Sequence, residues 1–204
     1  MELIDLIQTK SYELFKRYGV RSVTMDEIAI QCGMSKKTIY QLFADKDTLV
    51  GAIMENIIRQ AETNCKRMQL NSENAIHEMF LSLDWLHQTF DGVNPVMLYD
   101  IRKYYPANFQ KLEKHKSNYL YDILKKNFER GILEGLYRPE IKIDILVPMK
   151  IHTISVIFEQ DLFPTNKYTL MEIDREIMLV ELYGVATAKG IKLIEKYINL
   201  RTKQ

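Results

Sequence analysis

The chain has little cysteine, no long apolar run and no excess of charge of either sign. Its two cysteines, Cys32 and Cys65, lack partners at metal-site spacing, which argues against a disulfide scaffold and for reduced, mostly structural thiols in a cytoplasmic protein. No apolar run approaches the roughly 20 residues needed to cross a bilayer, so no membrane partner is expected. Glu2 and Asp5 interrupt the start, where a secretory signal requires positive charge and then an apolar stretch. There is no phosphate-cradling glycine loop and no G-x-S-x-G elbow. His77, His87, His115 and His152 lie far apart, without the i, i+4 pairing of a helical metal site. No enzyme, metal or cofactor is therefore expected. Lys and Arg number 28 against 27 Asp and Glu, a net charge of +1, so bulk charge does not announce a nucleic-acid binder. Residues 1–50 are balanced too, with seven of each sign. Any positive field there comes from the arrangement of its charges, not their number. Repeats, low-complexity tracts and flexible linkers are also lacking.

What is present is one dense stretch, Thr24 to Leu49, TMDEIAIQCGMSKKTIYQLFADKDTL. Thr24 with Glu27 three positions on is a capping box, which satisfies orphan donors at a helix start. Gly33 supplies the left-handed backbone that a tight turn demands. Ser35 then caps a second short helix through Phe43, and Asp45 a third that begins at Lys46. Ile28, Met34, Ile39 and Phe43 recur where two short helices would pack across the turn. Lys36, Lys37, Thr38, Tyr40 and Gln41 are left outward. Lysine can take phosphate or guanine, glutamine pairs with adenine, and a threonine methyl touches thymine. Lys46 stands at the positive end of its own helix dipole. Residue by residue an exposed helical face with ordinary lysines explains as much. Three caps and a turn glycine in one register favour a helix-turn-helix.

This stretch resembles the DNA-binding segment of TetR-type transcriptional regulators, through Ala29, Gly33, Ser35, Lys36, Thr38, Ile39, Tyr40, Phe43, Lys46, Asp47 and Leu49. The resemblance implies that Lys36, Lys37 and Gln41 face base edges, while Thr24, Thr38, Tyr40 and Lys46 hold phosphates. Lys37 stands where a small residue is common and Leu42 where an aromatic or histidine is common, so the operator sequence is not legible. The likeness is much looser beyond residue 55.

Along the chain the helical period recurs. Residues 2–18 carry Ile4, Ile7, Ser11, Leu14, Phe15 and Tyr18 on one stripe ending at Gly19, with Arg21 beyond it available to the DNA backbone. The helix from Lys46 has no stop before Asn71. Ser72 is the expected cap of the next, which Asp91-Gly92 breaks; Asn94-Pro95 opens another, ended at Tyr105-Pro106. Pro106 to Arg130 reads as one long helix, with Gly131 and Gly135 bracketing a turn. Ile141, Ile143 and Ile145 alternate as in a strand, but no second strand exists to pair with them. Instead Asp144 should cap a helix to about Asp161 with Pro148 in its first turn. A final helical region starts near Thr169 and is bent or restarted between Gly184 and Gly190. The expectation is an all-α chain: a three-helix helix-turn-helix unit at 1–48, continuous with a helical ligand-binding and dimerisation body at 49–204.

Two readings of that body stay open. The segment from Phe80 to Phe128 is rich in aromatic and polarisable side chains. They either form core and wet rim or wall a cavity for an effector, as the resemblance implies. Candidate ligand residues are Trp85, His87, Phe90, Met97, Tyr99, Tyr104, Tyr121 and Phe128, for an unknown small molecule of apolar or aromatic character. The last helices either complete the monomer or pair across a two-fold axis into a four-helix bundle, the dimerisation mode of the family resembled. Ile151, Ile154, Phe158, Ile173, Ile177, Val180 and Gly184 are the candidate contacts. Function is thus expected to be that of a homodimeric, effector-released repressor on a palindromic double-stranded operator. The alternative is an all-helical protein-interaction module without sequence-specific DNA binding, which enrichment of a palindrome from random duplexes would separate.

Overall fold

The computed structural model describes residues 2–94, 96–157, 162–164 and 167–201. Among them ten helices follow one another: α1 (Leu3–Tyr18), α2 (Met25–Cys32), α3 (Lys36–Leu42), α4 (Lys46–Asn71), α5 (Ala75–Phe90), α6 (Val96–Tyr104), α7 (Pro106–Leu133), α8 (Ile143–Val156), α9 (Leu170–Val185) and α10 (Ala188–Arg201). The described residues hold no strand beyond one isolated bridge between Tyr137 and Ala186. Of the alternating Ile141, Ile143 and Ile145, the last two lie in the opening of α8 and Ile141 in the loop before it.

The chain forms two compact units. One comprises Met1–Ala61 with Asp91–Lys114, the other Glu62–Phe90 with His115–Gln204. Helices α4 and α7 each run through both units without a break. Helix α6 and the start of α7 fall in the first unit.

The first unit closes over Ile7, Phe15, Val20, Ile28, Ile39, Leu49, Ile53, Met97 and Ile101, all buried. Of the stripe expected on α1, Ile7, Ser11 and Phe15 face inward, whereas Ile4 and Tyr18 are exposed. The end of α1 and its link to α2 are held by α6 and the loop before it. Asn94 N–H donates to the Lys16 carbonyl at 2.8 Å, and the Arg21 N–H donates to the buried Asp100 carboxylate at 2.8 Å. Asn108, also buried, donates to the Asp47 carbonyl at 3.2 Å.

The second unit packs α5, α9 and α10 around Ile76, Phe80, Leu136, Tyr137, Met178, Leu182 and Ile194. Two glycines let backbone and ring approach closely. A Cβ on Gly131 would lie 2.0 Å from the Tyr137 ring, and one on Gly190 2.3 Å from the Leu136 carbonyl oxygen. Gly131 lies in the last turn of α7, where its carbonyl accepts the Leu136 and Tyr137 N–H at 2.8 and 3.0 Å, and Gly135, with φ of +67°, turns the chain. Arg130 donates to Ser72 Oγ at 2.6 Å and to Glu134 at 2.7 Å, and Glu134 accepts the Ala75 N–H at 2.8 Å. That network opens α5 at Ala75, with Asn74 accepting the His77 N–H at 2.9 Å in the capping role expected of Ser72. Burial raises the Glu78 carboxyl above its ordinary range, against the pull of Arg130.

Two boundaries moved. Asp144 lies inside α8, where it accepts the Tyr121 hydroxyl at 3.1 Å, so it is not the cap. Pro148 then falls in the second turn, beyond the positions where a missing N–H costs nothing. Thr169 does cap α9, in a second full capping box with Glu172. Expectations at Pro95, Phe158 and Asp161 lie outside the described residues.

Candidate nucleic-acid interface

The predicted box forms at the start of α2. Thr24 N–H and hydroxyl both donate to the Glu27 carboxylate, at 2.6 and 2.9 Å, and the Thr24 hydroxyl accepts the Glu27 N–H at 3.2 Å. Those bonds to the charged form hold Glu27 below the usual carboxylate range. Gly33 follows at φ +65°, ψ +31°, and Met34 N–H reaches back to the Ala29 carbonyl at 2.9 Å. This is the left-handed helix end that glycine supplies without a Cβ penalty. Ser35 Oγ accepts the Thr38 N–H at 3.1 Å. Asp45 accepts both the N–H and the hydroxyl of Thr48 at 2.7 Å, which lowers its carboxyl. Three successive helix starts are thus fixed by side chains spaced as the sequence has them.

Between those starts sits α3, seven residues long. Ile39 is its buried residue, and Phe43 just beyond it is buried as well. These two anchor the helix on Ile28 and Ala29 of α2, while Lys36, Lys37, Tyr40 and Gln41 are exposed and Thr38 is half-exposed. Lys36 is not idle: its ammonium pairs with Asp26 at 2.7 Å, with both side chains well exposed, and lies 5.9 Å from the centre of the Tyr40 ring. The carboxylate raises the Lys36 pKa, so the cation is fully charged, and solvent screening lets a phosphate or base edge replace Asp26. The Thr38 hydroxyl is shared with Ser35 at 2.8 Å, on the same side as the cap.

One predicted phosphate ligand is corrected. Lys46 is half-buried, its ammonium donating to the carbonyls of Val20 and Val23 and lying 5.8 Å from the Phe15 ring centre. Burial lowers its pKa even though Asp100 and Glu27 pull the other way. With two of three donors engaged, Lys46 braces the link between α1 and α2; it does not project from the α4 start.

The candidate ligand residues separate. Met97, Tyr99 and Tyr104 lie in the first unit, and Trp85, His87, Phe90, Tyr121 and Phe128 in the second. Met97 is core, and Tyr99 and Tyr104 are exposed. Phe128 packs on Tyr137 with ring centres 5.8 Å apart, and Tyr121 bonds Asp144. His87 is exposed, which removes it as a buried anchor, while Trp85 and Phe90 are half-buried.

The candidate dimer contacts divide as well. Ile173 is 7% exposed and belongs to the core of the chain itself. Ile151, Ile154 and Ile177 are half-buried, and Gly184 is exposed. Val180 is 71% exposed. Sequence reasoning missed Ile145 and Met149, also exposed and one helical turn apart on α8. Their signal was there in part: Ile143, Ile145, Leu146, Val147, Met149, Ile151 and Ile154 spread over more of α8 than one apolar stripe. For Asp26, Asp100, Asn94 and Asn108 there was no such signal, because their partners are distant in the chain.

Residues 7–53 match the model of a family described as bacterial regulatory proteins, tetR family. The chain is 25% identical over 186 residues to the uncharacterised HTH-type transcriptional regulator YvaF of Bacillus subtilis, covering 88% of this chain and 93% of that protein. A TetR transcription regulator from Haloarcula marismortui has a similar fold, with a TM-score of 0.75 at 17% identity over 91% of this chain and 98% of that one. So has the transcriptional regulator FadR of Bacillus subtilis, in complex with stearoyl-CoA, with a TM-score of 0.67 at 17% identity over 88% and 98%.

Proposed function

We propose that this chain, a TetR-type DNA-binding transcriptional regulator, works in the cytoplasm as a homodimeric repressor that a small apolar or aromatic effector releases from a palindromic operator. The observation that carries the reading is the exposed face of α3. Three side-chain caps and one left-handed glycine hold Lys36, Lys37, Tyr40 and Gln41 outward on a helix too short to serve as core. Lys36, Lys37 and Gln41 read base edges, and Thr24, Thr38 and Tyr40 take phosphates.

One such helix spans too few bases to be selective, so two copies are needed. Ile145, Met149 and Val180, with Gly184, offer α8 and α9 as the pairing face, and four helices around a two-fold axis would cover them. Two recognition helices then sit roughly 34–36 Å apart, one turn of the duplex.

Release requires that an effector prefer a conformation with another separation. Helix α4, 26 residues and about 39 Å long, carries the change along its length. Asp100 on Arg21 and Asn108 on Asp47 tie α6 and the start of α7 to the reading helices. The functional division stays at 1–48 for reading and 49–204 for effector binding and pairing. That FadR binds stearoyl-CoA supports an effector with a long apolar part, and Trp85 and Phe90 are the candidates to meet it. Selection from a pool of random duplexes tests the reading. A palindrome should be enriched by the parent, and lost by Lys36→Ala and Tyr40→Ala variants that remain folded. No enrichment, or variants that bind like the parent, would refute it.

A further inference from the structure

A second group of cations and hydroxyls stands on the first unit, outside α3. The Arg21 guanidinium lies 4.9 Å from the centre of the Tyr104 ring and donates to the Tyr104 hydroxyl at 3.0 Å. Lys103 donates to the Tyr99 hydroxyl at 2.9 Å, its ammonium 5.2 and 5.4 Å from the ring centres of Tyr99 and Tyr104. All four side chains are exposed, and the described partners of the two cations are tyrosines. This differs from Lys36, whose ammonium is paired with the Asp26 carboxylate. Tyrosine rings orient the cations without cancelling them, since a ring face offers only a quadrupole. The carboxylate nearby, Asp100, is buried and turned to the Arg21 N–H. That bond pins the ridge to the link between α1 and α2. Arg21 precedes Thr24, the α2 cap, by three residues, at most about 10 Å of chain. At about 3.4 Å of axial rise per nucleotide of one strand, that is a reach of about three nucleotides.

We infer that Arg21, Tyr104, Lys103 and Tyr99 form a second contact surface for the phosphate backbone of duplex DNA, contributed largely by α6. The inference rests on the DNA-binding reading above but does not follow from it, because α6 lies outside the helix-turn-helix. Guanidinium, ammonium and phenol hydroxyl are all phosphate donors. The surface adds affinity and salt dependence without altering which sequence is preferred.

The test is a titration of the full chain onto the enriched palindrome and onto a scrambled duplex, from roughly 50 to 200 mM salt. Each lost phosphate contact removes about 0.9 from the slope of log affinity against log salt, so Lys103→Gln in both protomers should lower it by about 1.8. At 0.1 M salt that is roughly a 60-fold loss on either duplex, with the preference between them unchanged. Lys103→Arg should keep the parental slope. A parental slope and affinity for Lys103→Gln, alongside a Tyr40→Ala variant that still loses the palindrome, would overturn this inference and leave the recognition helix standing. If the parent binds no duplex, both fall. Lys103 is exposed at the end of α6, so its variants should keep the parental circular dichroism.

Discussion

Replacing Gly33 with alanine probes the turn that aims α3. The residue sits at φ +65°, ψ +31°, and a Cβ built on it meets nothing within 4 Å. Steric conflict with neighbours is therefore absent, and the whole cost is that of holding an L-residue in the left-handed region, about 1–2 kcal/mol. The turn cannot relax to avoid it. Gly33 N–H and Met34 N–H are bonded to the Ile30 and Ala29 carbonyls at 3.0 and 2.9 Å, and the Ser35 cap follows at once. For a chain of this length each kcal/mol moves the melting temperature by about 2–4 °C, so Gly33→Ala should melt about 2–8 °C lower. Asparagine tolerates the left-handed region better, and Gly33→Asn should fall between the two. Operator affinity measured well below the transition should change little, because the backbone is strained but not redirected. A Gly33→Ala variant as stable as the parent, or one less stable than Gly33→Val, would refute this account of the turn.

Lys37→Ala should weaken operator binding about tenfold or more and flatten the preference at one base position, read by mobility shift against single-base operator variants. Val180→Lys should leave a folded monomer, its mass measured by sedimentation, because the residue is exposed in the single chain. Gly131→Ala, by contrast, should damage the fold itself: its Cβ would overlap the Tyr137 ring, and overpacking of that kind costs about 1–3 kcal/mol. Burial pushes the Cys65 thiol up to about 11, so only about a thousandth is thiolate at pH 8. Alkylation of Cys65 should be slow there and accelerate about tenfold for each pH unit up to 10.

The local parts of this structure were legible in the sequence because their partners are three or four residues away. Thr24 with Glu27, Ser35 with Thr38 and the glycine at 33 need nothing beyond the adjacent turn to form. The length of α4 was legible for the same reason, as no proline falls between Lys46 and Asn71. What was hidden depends on separation in the chain. Lys46 looked free to meet a phosphate until the fold brought the Val20 and Val23 carbonyls to its ammonium. Whether Met97, Tyr99 and Tyr104 were core, rim or cavity wall was open in the sequence, because the bonds that hold α6 to the first unit, through Asn94 and Asp100, join residues about 80 positions apart. The second role of Gly131, making room for Tyr137, was hidden because the ring that approaches it comes from six positions on. Ile173 and Val180 are seven residues apart on one helix, yet one is core and the other exposed. An apolar pattern alone does not distinguish those two fates.

The central claim is that two copies of α3 occupy successive major grooves of one duplex. Hydroxyl-radical footprinting on the enriched operator, with the protein-to-DNA ratio determined in the same complex, tests it most directly. The expected result is two copies of the chain per duplex and two protected half-sites with centres roughly 34–36 Å apart, both lost together in Val180→Lys. One copy on a single, non-palindromic footprint would contradict it.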